Sequence, residues 1–206
     1  MRAKPLRGIK LRTPWRICIR LRGDLRSDVR NYMNDIQRGF DRKRRFPQIT
    51  LFGPFSTRMN RQQLINAIIT ESEKYPNAKF STDGFSSFEQ SGWFKQGRGI
   101  IFVKVNPNES LKQLRCDTVQ LLLPYSQTLK SDQDELNDFK FHITLAIGRT
   151  GDTFKTIKKH LKSFELKHED ITPELVLYYN KAPVFTYLIG HGNTVIRPQN
   201  LYVDPK

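Results

Sequence analysis

A chain of 206 residues with a formal charge of +15 and 37% apolar residues is long enough and apolar enough to bury one sizeable core, which excludes a disordered polyelectrolyte. No apolar run approaches the roughly 20 residues of a membrane span, and the basic N-terminus is not followed by an apolar stretch of signal-peptide type. The two cysteines, Cys18 and Cys116, are isolated, without metal-ligand spacing or a disulfide-rich pattern, and predict free thiols in a cytoplasmic protein.

The charge is unevenly placed. Residues 1–45 hold 15 Lys or Arg against 4 Asp or Glu, an asymmetry that predicts a polyanionic partner. A run such as 42–45 is by itself a solvated basic face, but net charge on this scale points to nucleic acid. A membrane surface fits less well, because no helix joins a basic face to a broad leucine and aromatic face.

Residues 1–13 read as a flexible arm or an added edge strand. The stretch 15–22 alternates, with Trp15, Ile17, Ile19 and Leu21 on one face and Arg16, Cys18, Arg20 and Arg22 on the other. The arginines either rim an anion site or are ordinary surface charge. Gly23 and Asp24 open a helix with Leu25, Val29, Tyr32, Met33, Ile36 and Phe40 at helical spacing and Gly39 as its stop. Next comes a strand from Gln48 that ends at Gly53 and Pro54. Asn60 then caps a helix that buries Leu64, Ile65, Ile68 and Tyr75.

The region 80–99 reads as a weak strand followed by a turn or loop with Phe85, Phe88, Trp93 and Phe94. Such aromatics can stack on bases, but more commonly they pin a loop to the core. A strand at 99–105 leads through Pro107 and Asn108 into a helix with Leu111, Leu114, Thr118 and Leu122, ended by Pro124. A polar linker, 126–138, reaches the strand 141–147. The next helix turns Phe154, Ile157, Leu161 and Phe164 inward and Lys155, Lys158, Lys159 and Lys162 outward, and a terminal hairpin pairs 175–179 with 184–189. Strand-helix-strand-helix thus occurs twice.

Two tetrads sit at matching places in this repeat, 94 residues apart: Gln48-Ile49-Thr50-Leu51 and His142-Ile143-Thr144-Leu145. In each the isoleucine and leucine share one face, while the polar pair shares the other. On that polar face, an imidazole and hydroxyls stand close enough to address one small anion.

This pair resembles the HxTx signature of the 2H phosphoesterases, the superfamily of 2'-5' RNA ligases and RNA 2',3'-cyclic phosphodiesterases. The second motif matches fully. The first, set in Phe46-Pro47-Gln48-Ile49-Thr50-Leu51-Phe52-Gly53-Pro54-Phe55, has Gln48 where histidine is expected. The resemblance covers most of residues 15–190. It implies an α+β fold of two pseudo-symmetric lobes, about 15–80 and 81–190 of a single domain 1–206, each an antiparallel sheet backed by helices and together enclosing a basic cleft.

The resemblance also implies an activity: hydrolysis of an RNA 2',3'-cyclic phosphate by two histidines that exchange protons on opposite sides of phosphorus, with threonine hydroxyls on the non-bridging oxygens. Carried onto this chain, His142, Thr144 and Thr50 are catalytic, Gln48 takes the position of the missing histidine, and turnover is weakened accordingly. Arg149, Tyr187, Arg20, Arg22 and Phe52 are the expected substrate contacts, with Tyr187 facing the cleft. His160, His168 and His191 are the histidines available to compensate, although each reads more readily as a surface residue. The expected partner is RNA with a 2',3'-cyclic phosphate end, with no metal, no cofactor and no membrane, and the expected state is a monomer. The alternatives are a catalytically inactive RNA-binding protein of the same fold and a phosphodiesterase for a small cyclic nucleotide.

Overall fold

The computed structural model describes residues 15–37, 47–89, 98–128, 139–149, 151–161, 164–191 and 194–195. In chain order the elements are β1 (Trp15–Arg20), α1 (Gly23–Gln37), β2 (Gln48–Thr57), α2 (Arg61–Glu73), β3 (Phe80–Glu89), β4 (Arg98–Pro107) and α3 (Glu109–Leu122). A 3₁₀ turn (Leu123–Tyr125) leads to β5 (Ser126–Thr128), followed by β6 (His142–Arg149), α4 (Asp152–Leu161), β7 (Lys167–Ile171), β8 (Glu174–Tyr179), β9 (Ala182–Leu188) and β10 (Thr194–Val195).

Local chemistry explains the helix starts. The Asn60 side chain accepts the Gln63 N–H while the Gln63 side chain accepts the Asn60 N–H, both at 2.9 Å, which satisfies two donors that a helix start leaves orphaned. Asn108 caps α3 by accepting the Leu111 N–H at 3.0 Å, and it also accepts the Lys79 N–H at 3.0 Å, which ties the helix to the start of β3. Between β8 and β9, Asn180 and Lys181 adopt φ of 47° and 72°, the left-handed pair that a two-residue hairpin turn uses.

The ten strands form one antiparallel sheet in the order β10-β9-β8-β1-β2-β6-β4-β3-β7, with β5 added to β2. Register fixes two faces across it. Ile49 pairs with Ile19, Ile19 with Leu175 and Leu175 with Tyr187, and on the other side Ile49 pairs with Ile143 and Ile143 with Val103. All of these residues lie in the main core cluster under the helices. The opposite face carries Gln48, Thr50, His142 and Thr144. Four of its apolar residues, Cys18, Ile100, Phe102 and Val176, are buried but stand apart from that cluster, as expected for the inner surface of a curled sheet.

The two halves interleave. α1 packs on β6 and α4 on β3, while α3 packs on β2 and α2 on α3. β8 and β9, late in the sequence, close on β1, so the half-sheet around β2 draws strands from both ends of the chain and does not follow the split at residue 80. The two lobes are halves of one sheet, joined where β2 meets β6.

Three elements differ from the sequence reading. β2 continues through Gly53 and the cis Pro54 to Thr57, because Gly53 takes φ +101°, where a Cβ would press on the Trp15 carbonyl at 3.0 Å. The linker contributes β5, which extends β2 through Phe55 and Thr128. β7, with the sequence Lys-His-Glu-Asp-Ile, is too polar to show as a strand and forms because β3 offers it an edge. The arm 1–13, the run 42–45, Gly39, Phe40, Trp93, Phe94, Lys162 and the linker 129–138 lie outside the described residues. Phe164 follows the end of α4 and is 37% exposed.

Ile143 is fully buried at the joint between the halves. Ile143→Ala should therefore cost about 2–5 kcal/mol in urea unfolding, and a loss well under 1 kcal/mol would show that the joint does not depend on it.

Candidate active site

β2 and β6 pair antiparallel with Ile49 opposite Ile143. Directly opposed residues point to the same face, so this register sets Gln48 against Thr144 and Thr50 against His142, all four half-buried on the inner face. The tetrads run in opposite directions about a local two-fold axis through the isoleucine pair. Cross-strand neighbours stand about 5 Å apart and diagonal ones about 7–8 Å. A tetrahedral phosphate fits such a square, with a threonine hydroxyl on either side and His142 and Gln48 at opposite corners.

The His142 ring is held in one tautomer. Its Nδ1 lies 2.8 Å from the Lys140 carbonyl oxygen, which can only accept, so Nδ1 carries the proton of the neutral ring and the Nε2 lone pair is the basic site. Phe88 and Phe102 meet the imidazole edge-on, with centroids at 5.5 and 5.4 Å, and stack on each other at 4.2 Å. Burial pushes the imidazole below its ordinary value of 6.5, outweighing the Lys140 contact, which acts the other way. At neutral pH His142 is therefore an uncharged base.

The family model of the 2'-5' RNA ligase superfamily matches residues 24–176. The chain belongs to the 2'-5' RNA ligase superfamily. Among solved structures it is similar to Usb1 of Kluyveromyces marxianus, at 10% identity and a TM-score of 0.41, with 86% of this chain and 97% of that one covered. It is also similar to the same Usb1 with uridine monophosphate, at 7% identity and a TM-score of 0.36, with 85% and 95% covered. No curated protein matches the sequence.

In this member of the superfamily, β1 and β8 form one wall of the site. Arg20 pairs in register with Gln48 and with Glu174, which places all three on the inner face. Glu174 is 2% exposed; it accepts a hydrogen bond from Arg22 and lies 3.9 Å from the Arg20 Nε. A lone buried carboxylate would repel a phosphate, but between two guanidiniums the cluster keeps a net positive charge. Tyr178 stands beside Arg20 and Cys18, and burial raises its phenol above the ordinary value. The Cys18 thiol, pushed up to about 12 by burial, stays protonated and donates to the Thr50 Oγ1 at 3.9 Å. That contact uses a Thr50 lone pair and leaves its O–H to turn towards a ligand oxygen.

Not every expected contact is in place. Tyr187 is 4% exposed on the core face, in register with Leu175 and stacked on Phe185; its neighbour Thr186 is the residue on the inner face. Phe52 is buried against Phe55 at 4.7 Å, because the register slips between Cys18–Thr50 and Ile17–Phe52, an extra residue in β2 that turns Phe52 to the core side. Arg22 lies beyond the end of β1, half exposed and turned to Glu174. Arg149 ends β6, paired with Arg98, and its side chain lies outside the described residues.

The other histidines are elsewhere. His168 on β7 binds Asp28 of α1 at 3.0 Å, His160 on α4 packs on Phe164, and His191 follows β9. Phe102, Tyr178 and Glu174 are not legible as site residues, since their places depend on strand register; the alternation of 15–22 puts Cys18 on the arginine face without giving it a task, and Phe88 is legible only as one of several aromatics that either stack on bases or pin a loop to the core. Among the described residues, no three His, Cys, Asp or Glu side chains are grouped to hold a metal ion. No described helix is long and apolar enough to cross a membrane.

A His142 pKa lowered by folding means that protonation costs more in the folded state. This contribution to stability is full above about pH 6.5 and is lost as the pH falls below it. NMR titration of the ligand-free protein should give a His142 midpoint below 6.5 with the Nδ1–H tautomer above it. A midpoint above 6.5, or the Nε2–H form, would contradict this geometry.

Proposed function

We propose that this protein binds RNA ends carrying a 2',3'-cyclic phosphate and opens the cyclic ester slowly, with His142 as the proton-exchanging group. The observation that carries this reading is the placement of Gln48, Thr50, His142 and Thr144 around one point on the inner face. Membership of a superfamily described by RNA ligation and a charge of +15 support RNA as the partner.

The neutral His142 Nε2 takes a proton from water as the water oxygen bonds to phosphorus. The bond from phosphorus to the ribose O2' or O3' then breaks, and its electron pair leaves on the ribose oxygen. Thr50 and Thr144 donate hydrogen bonds to the non-bridging oxygens, where charge builds. Arg20 lies next along the sheet and adds positive charge on the Gln48 side.

The departing oxygen needs a proton, and Gln48 occupies the corner from which it would come. An amide N–H can hydrogen-bond that oxygen but cannot give up a proton near neutral pH, so the proton must come from solvent. A positioned acid or base is worth about 10² to 10⁴ in rate, and turnover falls by that factor while phosphate binding is kept.

The engagement of His168 by Asp28 and the packing of His160 on Phe164 favour a second reading, in which the protein is an RNA reader that keeps the pocket and has lost turnover. A phosphodiesterase for a small cyclic nucleotide agrees less well with the large positive charge. RNA affinity should in either RNA reading fall steeply with added salt, as phosphate contacts release counterions.

The decisive assay compares the protein with its Gln48→His variant on an oligonucleotide ending in a 2',3'-cyclic phosphate, resolving 2'- from 3'-phosphate products. A gain of about 10² or more in the variant, abolished by His142→Ala, is expected. Binding without turnover in both proteins would favour the reader. Absence of binding in both would dispose of the site altogether.

A further inference from the structure

Glu174 is a buried carboxylate with an arginine on either side, and it holds the two unequally. Its Oε1 accepts a hydrogen bond from the Arg22 guanidinium, whereas its Oε2 lies 3.9 Å from the Arg20 Nε, too far for one. That Oε2 is buried and accepts no hydrogen bond from the described residues. The two arginines also differ in place. Arg22 stands past the end of β1 with its side chain 57% exposed, while the Arg20 side chain is 25% exposed on the inner face, opposite Gln48.

Arg20 is therefore steered by the carboxylate without being hydrogen-bonded to it. Glu174 attracts it on one side, and the Tyr178 phenol oxygen accepts a hydrogen bond from it on another. Burial holds that phenol above its ordinary value, so it stays neutral and cancels no charge. Arg20 and Gln48 are directly opposed across β1 and β2, with Cβ atoms about 5 Å apart, so an anion at the Gln48 corner lies within reach of the guanidinium.

This arrangement depends on Arg22. A buried carboxylate stripped of its partner is costly and draws in the next cation available. With Arg22 gone that cation is Arg20, and a movement of about 1 Å would close the gap of 3.9 Å to a charge-assisted hydrogen bond. A phosphate would then compete with Glu174 for the same guanidinium. We propose that Arg22 is a positioning residue, which satisfies Glu174 and so keeps Arg20 for the phosphate held at Gln48. Arg22 acts through its neighbours and touches no ligand. This inference rests on the proposed function and deepens it.

The test titrates cytidine 2',3'-cyclic phosphate calorimetrically into the full chain and its variants. Arg22→Ala should weaken binding about 10-fold, the scale of one charged hydrogen bond. Adding Glu174→Gln to Arg22→Ala should restore most of the affinity, because the rival carboxylate is gone. In an Arg20→Ala background, Arg22→Ala should cost almost nothing further, since the group through which it acts is absent. If Arg22→Ala does not fold, Arg22→Gln, whose neutral amide binds the carboxylate more weakly, gives the same three comparisons. Unchanged affinity on loss of Arg22, a loss that Glu174→Gln does not restore, or an equal loss with and without Arg20 would overturn this inference. Each of those results leaves the proposed function standing, because the unaltered protein still binds the probe. Failure of the unaltered protein to bind would count against the proposed function and this inference together.

Discussion

Ile49 and Ile143 face each other at the joint of the sheet, and the site depends on that contact. Their side chains are fully buried beneath the helices, and for that reason their neighbours in sequence point the other way. Because side chains alternate strictly along a strand, burying the isoleucines fixes Gln48, Thr50, His142 and Thr144 on the inner face without any direct bond among the four. A slip of one residue at this pair would send the imidazole into the core. The hydrophobic effect thus sets the geometry of a polar site, and the hydroxyls and imidazole need only be the right residues at the right parity.

The site is symmetric in backbone and asymmetric in chemistry. On one side stand a neutral imidazole, fixed by the Lys140 carbonyl and dried by Phe88 and Phe102; on the other stand an amide and an arginine tethered to buried Glu174. A general base can be supplied on the first side. The second side offers hydrogen bonds and charge, which hold a phosphate but do not complete a proton relay. The proposed slow chemistry with retained binding rests on this inequality.

The alternation of 141–147 and 15–22, the capping asparagines at 60 and 108 and the terminal hairpin were legible because short-range periodicity and cap chemistry decide them. The motif residues were legible for the same reason. What escaped depended on register between distant strands. An extra residue in β2 turns Phe52 to the core side, and the face of β9 follows from a pairing chain through β8 and β1 that no local pattern specifies, so Tyr187 lies in the core. Tyr178 reads as part of an ordinary strand, and Glu174 as the residue before it, until β8 is set beside β1. Phe102 reads as one more apolar residue of its strand, and Phe88 as a loop aromatic, until β3, β4 and β6 are set side by side. β7 has almost no apolar signal of its own and is recruited by the edge of β3.

The most direct test of the central claim is the His142 titration in the presence of saturating cytidine 2',3'-cyclic phosphate. An anion held between His142 and Gln48 favours the imidazolium, so the midpoint should move up from its ligand-free position, and Thr50→Ala together with Thr144→Ala should abolish that movement. A ligand that binds yet leaves the His142 midpoint where it was would show that the phosphate lies elsewhere and that the four residues do not form one site.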